Sequence, residues 1–163
     1  MEASFSLPEG LTKAQAYEQF LTDYRLLLEG ETDLIAVLAN TAAALREAFG
    51  FFWVGFYLVH DEQWLSLGPF QGSVACSRIR RGRGVCGTAW AEERTILVPD
   101  VDAFPGHIAC SSLSRSEIVI PLKDQSGRIH GVLDIDSDRL NSFDSDDQHG
   151  LESLVHILSQ HLF

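Results

Sequence analysis

A chain of 163 residues with 45% hydrophobic and 21% charged residues suits one domain with a full core, in the balance of an ordinary water-soluble fold. Its formal net charge of -11 argues against nucleic acid or an anionic membrane surface as a partner. The N-terminus lacks a basic region followed by an apolar run and no later stretch is apolar for long enough to cross a bilayer, so the expected location is the cytoplasm, where an odd set of three cysteines argues against a disulfide scaffold.

Residues 1 to 10 contain Pro8 and Gly10, show no periodicity, and read as a flexible lead-in; residues 11 to 163 read as a single domain. Thr12 with Gln15 forms a capping box, and Ala16, Phe20, Tyr24, Leu27 and Leu28 follow at helical spacing as far as Gly30. A second helix begins at Thr32, carries Leu34, Val37, Leu38, Ala42, Leu45 and Phe49 on one stripe, and stops at Gly50. Two amphipathic helices in succession need one apolar surface to cover. Phe51 to Val59 supplies it, an aromatic and β-branched run too dense for a solvent-facing element and so a buried strand. Alternation sets Trp53, Gly55 and Tyr57 on one face and Phe52, Val54, Phe56 and Leu58 on the other. His60-Asp61-Glu62 turns the chain into Gln63 to Phe70, giving a hairpin. Further strands are predicted at Thr95 to Val98, Ser116 to Leu122 and Arg128 to Ser137, the last two joined by Asp124-Gln125-Ser126-Gly127. Phe143 before an Asp144 cap opens a third long helix along Leu151, Leu154, Val155, Leu158 and Leu162. The predicted class is α+β, an antiparallel sheet of five or six strands covered by helices from both chain ends.

Between the hairpin and the later strands, Ala75 to Ile118 holds all three cysteines, Cys76, Cys86 and Cys110, with Arg78, Arg80, Arg81 and Arg83. Thiols beside guanidinium groups suggest thiolate chemistry, the thiolate being the nucleophile. Gly82-Arg83-Gly84-Val85-Cys86-Gly87 matches a dinucleotide fingerprint, with Asp100 and Asp102 following, but it lacks a buried parallel strand and a βαβ unit; the glycines read instead as a tight approach to a helix starting near Val85. His107 and Cys110 are three apart, yet no Cys-x-x-Cys occurs and His60, His107 and His130 fall on different elements, so they read as surface histidines, and no metal and no other cofactor is expected. His107 as the base of a Cys-His hydrolase lacks an identifiable orienting group. The carboxylates say more: Asp134 and Asp136 share a face at the end of an apolar strand, and a short hairpin brings Glu117 alongside them if the registers agree. Three acids in one patch repel, so that one would hold its proton near neutral pH. The plainer reading, solvated strand ends, is the one composition alone favours.

Trp53-Val54-Gly55-Phe56-Tyr57, Gly82-x-Gly84-Val85-Cys86-Gly87, Val98-Pro99-Asp100-Val101, His107-Ile108-Ala109-Cys110, Ser116 to Leu122 and Gly131 to Ser137 together resemble the free methionine-(R)-sulfoxide reductases, single-domain GAF proteins, from about residue 11 to the C-terminus. The resemblance implies a GAF-like fold and thiol-dependent reduction of free L-methionine (R)-S-oxide to methionine. It also implies Cys110 as nucleophile, Cys76 as resolving thiol with Cys86 able to substitute or relay, and recycling by a dithiol such as thioredoxin. Glu117, Asp134 and Asp136 would bind the substrate's ammonium and sulfoxide groups, and Trp53 and Tyr57 would wall its methyl and side chain. Homodimerisation is left open. The alternative class is a GAF ligand-binding or redox-sensing module without turnover, against which stands the expectation that a sensor carries an output domain, for which a chain ending at Phe163 leaves no room.

Overall fold

The computed structural model describes residues 4 to 163. Helix α1, Lys13–Leu28, starts where its capping box closes: the N–H of Gln15 donates to Thr12 Oγ1 at 3.2 Å and the N–H of Thr12 to Gln15 Oε1 at 3.0 Å. It buries Tyr17, Phe20, Tyr24 and Leu28; of the predicted stripe Ala16 and Leu27 are only half-buried, and Tyr17, which that stripe leaves out, is buried. Helix α2, Leu34–Phe49, is capped by Asp33 rather than started at Thr32; the N–H of Ala36 donates to Asp33 Oδ1 at 2.8 Å, while Thr32 is held outside by Glu31 Oε1. Gly50, at φ 66, ends it in the left-handed region.

Six strands follow: β1 Trp53–Val59, β2 Trp64–Gln71, β3 Arg78–Arg80, β4 Ile96–Val98, β5 Ser116–Lys123 and β6 Ile129–Ser137. They form one sheet in the order β3-β2-β1-β6-β5-β4, with every neighbouring pair antiparallel. Of these, β3 escapes the sequence pattern: three residues with one inward apolar side chain, Ile79, are too short for alternation to register. Helix α3, Gly84–Glu92, lies between β3 and β4, and helix α4, Ser145–Leu162, closes the chain.

Period-two alternation divides the core between the two faces of this sheet. Val54, Phe56, Ile118, Ile120, Leu122, Leu133 and Ile135 point to the face covered by α1, α2 and α4. Phe20 and Phe56 are fully buried there, and truncating such a side chain to alanine typically costs about 3–5 kcal/mol. Asp147, inside α4's own capping box, also fastens α4 to α1, because it accepts from the Tyr17 hydroxyl at 2.8 Å and pairs with Lys13 Nζ at 2.7 Å. The chain-end helices therefore cover one face only. Trp53, Tyr57, Leu65, Ile79, Val119 and Val132 point to the other, where α3 and its Val85, Ala89 and Trp90 complete a second core.

Within the expected flexible lead-in, residues 4 to 10 form no helix or strand, but Phe5 is 6% exposed, its ring 5.4 Å from that of Phe20, and its N–H donates to Glu47 at 2.8 Å. One aromatic residue has no period to reveal it, so this anchor is not legible in the pattern. Residues 1 to 3 of that lead-in lie outside the described residues. Among the described residues no helix is long and apolar enough to cross a membrane.

Candidate active site

The second face of the sheet carries the acids. Pairing sets Trp53 opposite Asp136 and Asp136 opposite Glu117, so these three form one row across β1, β6 and β5; the next row runs Gly55, Asp134, Val119. Odd positions in β1 and β5 and even positions in β6 all face α3, which is why an apolar sheet presents three carboxylates on one spot. Gly55 is required here, since a Cβ would run into Phe70 and come within 2.7 Å of the Trp53 indole. The Trp53 ring instead stacks between Phe70 at 5.3 Å and Tyr57 at 6.2 Å.

These aromatics hold the pocket rim as well as its wall. Trp53 Nε1 donates to the Ser73 carbonyl and the Tyr57 hydroxyl to the Cys76 carbonyl, both at 2.9 Å. Cys76 is joined by a disulfide to Cys110, with a Cα–Cα distance of 5.3 Å across a sequence separation of 34. Cys110 rides on the loop after the 3-10 turn Val101–Ala103; its base is pinned where the Val101 N–H donates to the Arg115 carbonyl at 2.9 Å and the Arg115 N–H to the Ser137 carbonyl at 2.7 Å. The two loops border a pocket with about 530 Å³ of empty space, a figure that includes open solvent at its mouth. Its lining includes Trp53, Tyr57, Cys86, Cys110, Glu117, Asp134 and Asp136. Every residue named for the site from the sequence thus meets there except Cys76, which reaches the pocket through its disulfide partner.

The glycine segment packs a helix against a strand. At Gly87 a Cβ would collide with the Arg80 carbonyl oxygen, and the Gly82 N–H donates to the Gly87 carbonyl at 2.9 Å, so α3 sits hard against the end of β3. That approach puts Cys86, 3% exposed and a free thiol, over the acids.

Burial dominates the electrostatics. Glu117 and Asp134 are each 5% exposed. Desolvation raises the pKa of Glu117 well above its ordinary value and the charge of Asp136 adds to it, against a hydrogen bond to Asp134. Asp134 and Asp136 are raised in the same way, by burial first and then by the neighbouring acid. The Cys86 thiol is pushed up by burial and then by Asp134, and the Tyr57 hydroxyl by burial and then by Asp134. Asp134 Oδ1 is buried with no hydrogen-bond partner. Cys86, Glu117 and Asp134 each offer a donor atom within 4.8 Å of the others, but burial raises all three pKa values, which opposes the deprotonation that holding a cation requires.

His107, expected at the surface, has its Nε2 3.7 Å from Glu117 Oε2, and burial lowers its pKa against the opposing charge of Asp102. Sequence reasoning misses Ser114 altogether, which is buried beside Asp136. Neither is identifiable from local pattern, because both depend on how the Cys110 loop folds back over β5.

The raised carboxylates make a stability prediction. Above about pH 4 the unfolded chain ionises these acids while the folded chain keeps protons, so the folded state binds more protons and stability must fall as pH rises towards the folded pKa values. Replacing Asp134 with asparagine should stabilise the protein at pH 8 and change little at pH 4, as read from urea midpoints across that range. A wild-type midpoint independent of pH would show that the cluster is not held protonated.

The chain matches the GAF domain family over residues 33–162. It is 60% identical over 147 residues to GAF domain-containing protein A from Dictyostelium discoideum, covering 90% of this chain and 92% of that one. It is 48% identical over 146 residues to the free methionine-R-sulfoxide reductase of Escherichia coli, covering 89% and 87%. The X-ray structure of free methionine-R-sulfoxide reductase from Neisseria meningitidis in complex with its substrate superposes with a TM-score of 0.90 at 53% identity, covering 96% of this chain and 93% of that one.

Proposed function

We propose that this chain, which belongs to the GAF-domain family of free methionine-R-sulfoxide reductases, reduces free L-methionine (R)-S-oxide to methionine with residues 11 to 163 acting as one domain. The observation that carries the reading is a Cys76–Cys110 disulfide closing a pocket whose floor is two buried acids, Glu117 and Asp134, and a half-buried third, Asp136. Those are the parts that thiol reduction of a sulfoxide requires: a sulfur to attack, a second sulfur to take the product apart, and a proton for the departing oxygen.

Cys110 attacks the sulfoxide sulfur as a thiolate while one carboxylic acid of the cluster donates a proton to the oxygen. The protonated oxygen passes from the substrate sulfur to the Cys110 sulfur, so that the substrate S–O bond and the transient S–S bond break, an S–O bond forms on Cys110, methionine departs, and Cys110 is left as a sulfenic acid. The Cys76 thiol condenses with it, water leaves, and the disulfide forms. A dithiol such as thioredoxin returns both sulfurs to thiols and itself becomes the disulfide. Cys86, kept as a thiol by burial, stands in reserve as a substitute or relay. Trp53 and Tyr57 close around the methyl and side chain. The ammonium of the substrate favours ionisation of the acids it touches, so one acid can stay protonated while its neighbours carry charge. The cytoplasm suits this cycle because it supplies reduced dithiols.

A pocket floor of acids favours a free ammonium, which a peptide amide does not offer. N-acetylated, amidated methionine (R)-sulfoxide should therefore be reduced at least about 100-fold less efficiently than the free amino acid, the cost of about 2.7 kcal/mol expected when a buried charged contact is lost. The assay is repeated turnover with dithiothreitol; equal rates on both compounds would sink the reading, and no turnover of the free amino acid would favour a redox-sensing module.

A further inference from the structure

Arg78, Arg80, Arg81 and Arg83 all stand exposed along β3 and the turn that follows it. Within β3 only Ile79 points inward, where it lines the pocket, so alternation throws Arg78 and Arg80 to the outside. Among the described residues none of the four makes a salt bridge. Arg78 donates to Ser66 Oγ at 2.9 Å and to the Ser77 carbonyl at 3.1 Å, and Arg81 lies 4.9 Å over the Trp90 ring, which fixes both guanidinium groups without neutralising them. β3 is also an end strand of the sheet.

This positive island belongs to a chain of net charge -11, so the rest of the surface repels an acidic protein and the island attracts one. It begins two residues after Cys76, within about 7 Å along the chain. Both Cys76 and Cys110 are half-buried, which leaves the disulfide within reach of an incoming thiol.

We propose that the arginine edge around β3 is the docking surface for an acidic dithiol protein that reduces the Cys76–Cys110 disulfide. This rests on the reductase reading and names the partner of that same site. The partner's thiolate attacks the Cys76 sulfur and forms a mixed disulfide, and Cys110 leaves as a thiolate that takes up a proton. The partner's second thiol then attacks its own sulfur of the mixed bond, releasing Cys76. Two electrons and two protons pass to this chain, and the partner departs as a disulfide. Attraction to the island raises the encounter rate and turns the partner's active site towards Cys76.

The test uses full-length oxidised protein and reads disulfide reduction directly, by tryptophan fluorescence or by mass spectrometry of quenched samples, with an acidic thioredoxin and with dithiothreitol. In the Arg80→Ser/Arg81→Ser and Arg80→Glu/Arg81→Glu variants the second-order rate with thioredoxin should fall about tenfold or more, most in the glutamate pair, and lose its dependence on ionic strength. The rate with dithiothreitol should stay within about twofold, which also reports a correctly folded disulfide loop. An unchanged thioredoxin rate, or an equal loss with both reductants, overturns the proposal. So does a wild-type dimer that the variants dissociate with no change in thioredoxin kinetics, because the edge would then bind a second copy of the chain. Since the readout needs no sulfoxide, absence of methionine sulfoxide turnover would defeat the proposed function without deciding this result.

Discussion

Replacing Cys110 with serine will abolish turnover of free methionine (R)-sulfoxide and all sulfenic acid formation. A serine hydroxyl is not ionised near neutral pH and cannot be oxidised to carry the sulfoxide oxygen, so both the attack and the acceptance of oxygen are lost. The half-buried position of Cys110 on a loop over the acids is what the attack needs. Cys86 will not rescue the variant, because a thiol buried among acids and pushed up in pKa presents almost no thiolate. Substrate consumption in a single turnover and trapping of sulfenic acid with a dimedone reagent are the measurements. A Cys110→Ser protein that still consumes one equivalent would move the nucleophile to another sulfur.

The acid cluster should produce the next largest effect. Glu117, Asp134 and Asp136 form one patch in which each pKa is raised by burial and by at least one of the others. Chemistry at the sulfoxide oxygen needs a proton that is still present near neutrality, and binding of the ammonium needs a charge. Made singly, Glu117→Gln, Asp134→Asn and Asp136→Asn should divide accordingly. Loss of the proton donor should lower the single-turnover rate by about 10² to 10⁴, and loss of an ammonium partner should mainly raise KM. In the wild type the single-turnover rate should fall as pH rises through the raised pKa values, because the donor's proton is lost there. Wild-type rate, affinity and pH profile in all three variants would return these acids to the role of ordinary strand ends.

The sheet's alternation is legible in the amino-acid sequence. Trp53 and Tyr57 on one face of the first strand, and Asp134 with Asp136 on one face of the last, follow from a period of two that tertiary contacts do not alter. The helices are legible for the same reason, through capping boxes at Thr12 and Asp144 and the glycine at Gly50, which act within one turn of chain. The plainer reading of the acids as solvated strand ends fails on burial alone: Glu117 and Asp134 are 5% exposed. Composition could not supply that, since it depends on α3 and the Cys110 loop lying over them.

Local pattern, then, determined the helices and every strand but β3, the face each side chain takes in them, and the residues able to do thiol and acid chemistry, because all three depend on neighbours a few positions apart. Only the tertiary structure decided which of those residues meet. It set β1 beside β6, so that Trp53 stands in a row with Asp136 and Glu117. It spanned 34 residues to join Cys76 to Cys110, and it brought His107 to 3.7 Å from Glu117. Such contacts carry no periodic trace in the chain. They are fixed by packing two faces of one sheet at once, the chain-end helices on the apolar side and α3 with the disulfide loops on the other, which leaves the acids a single buried place to converge.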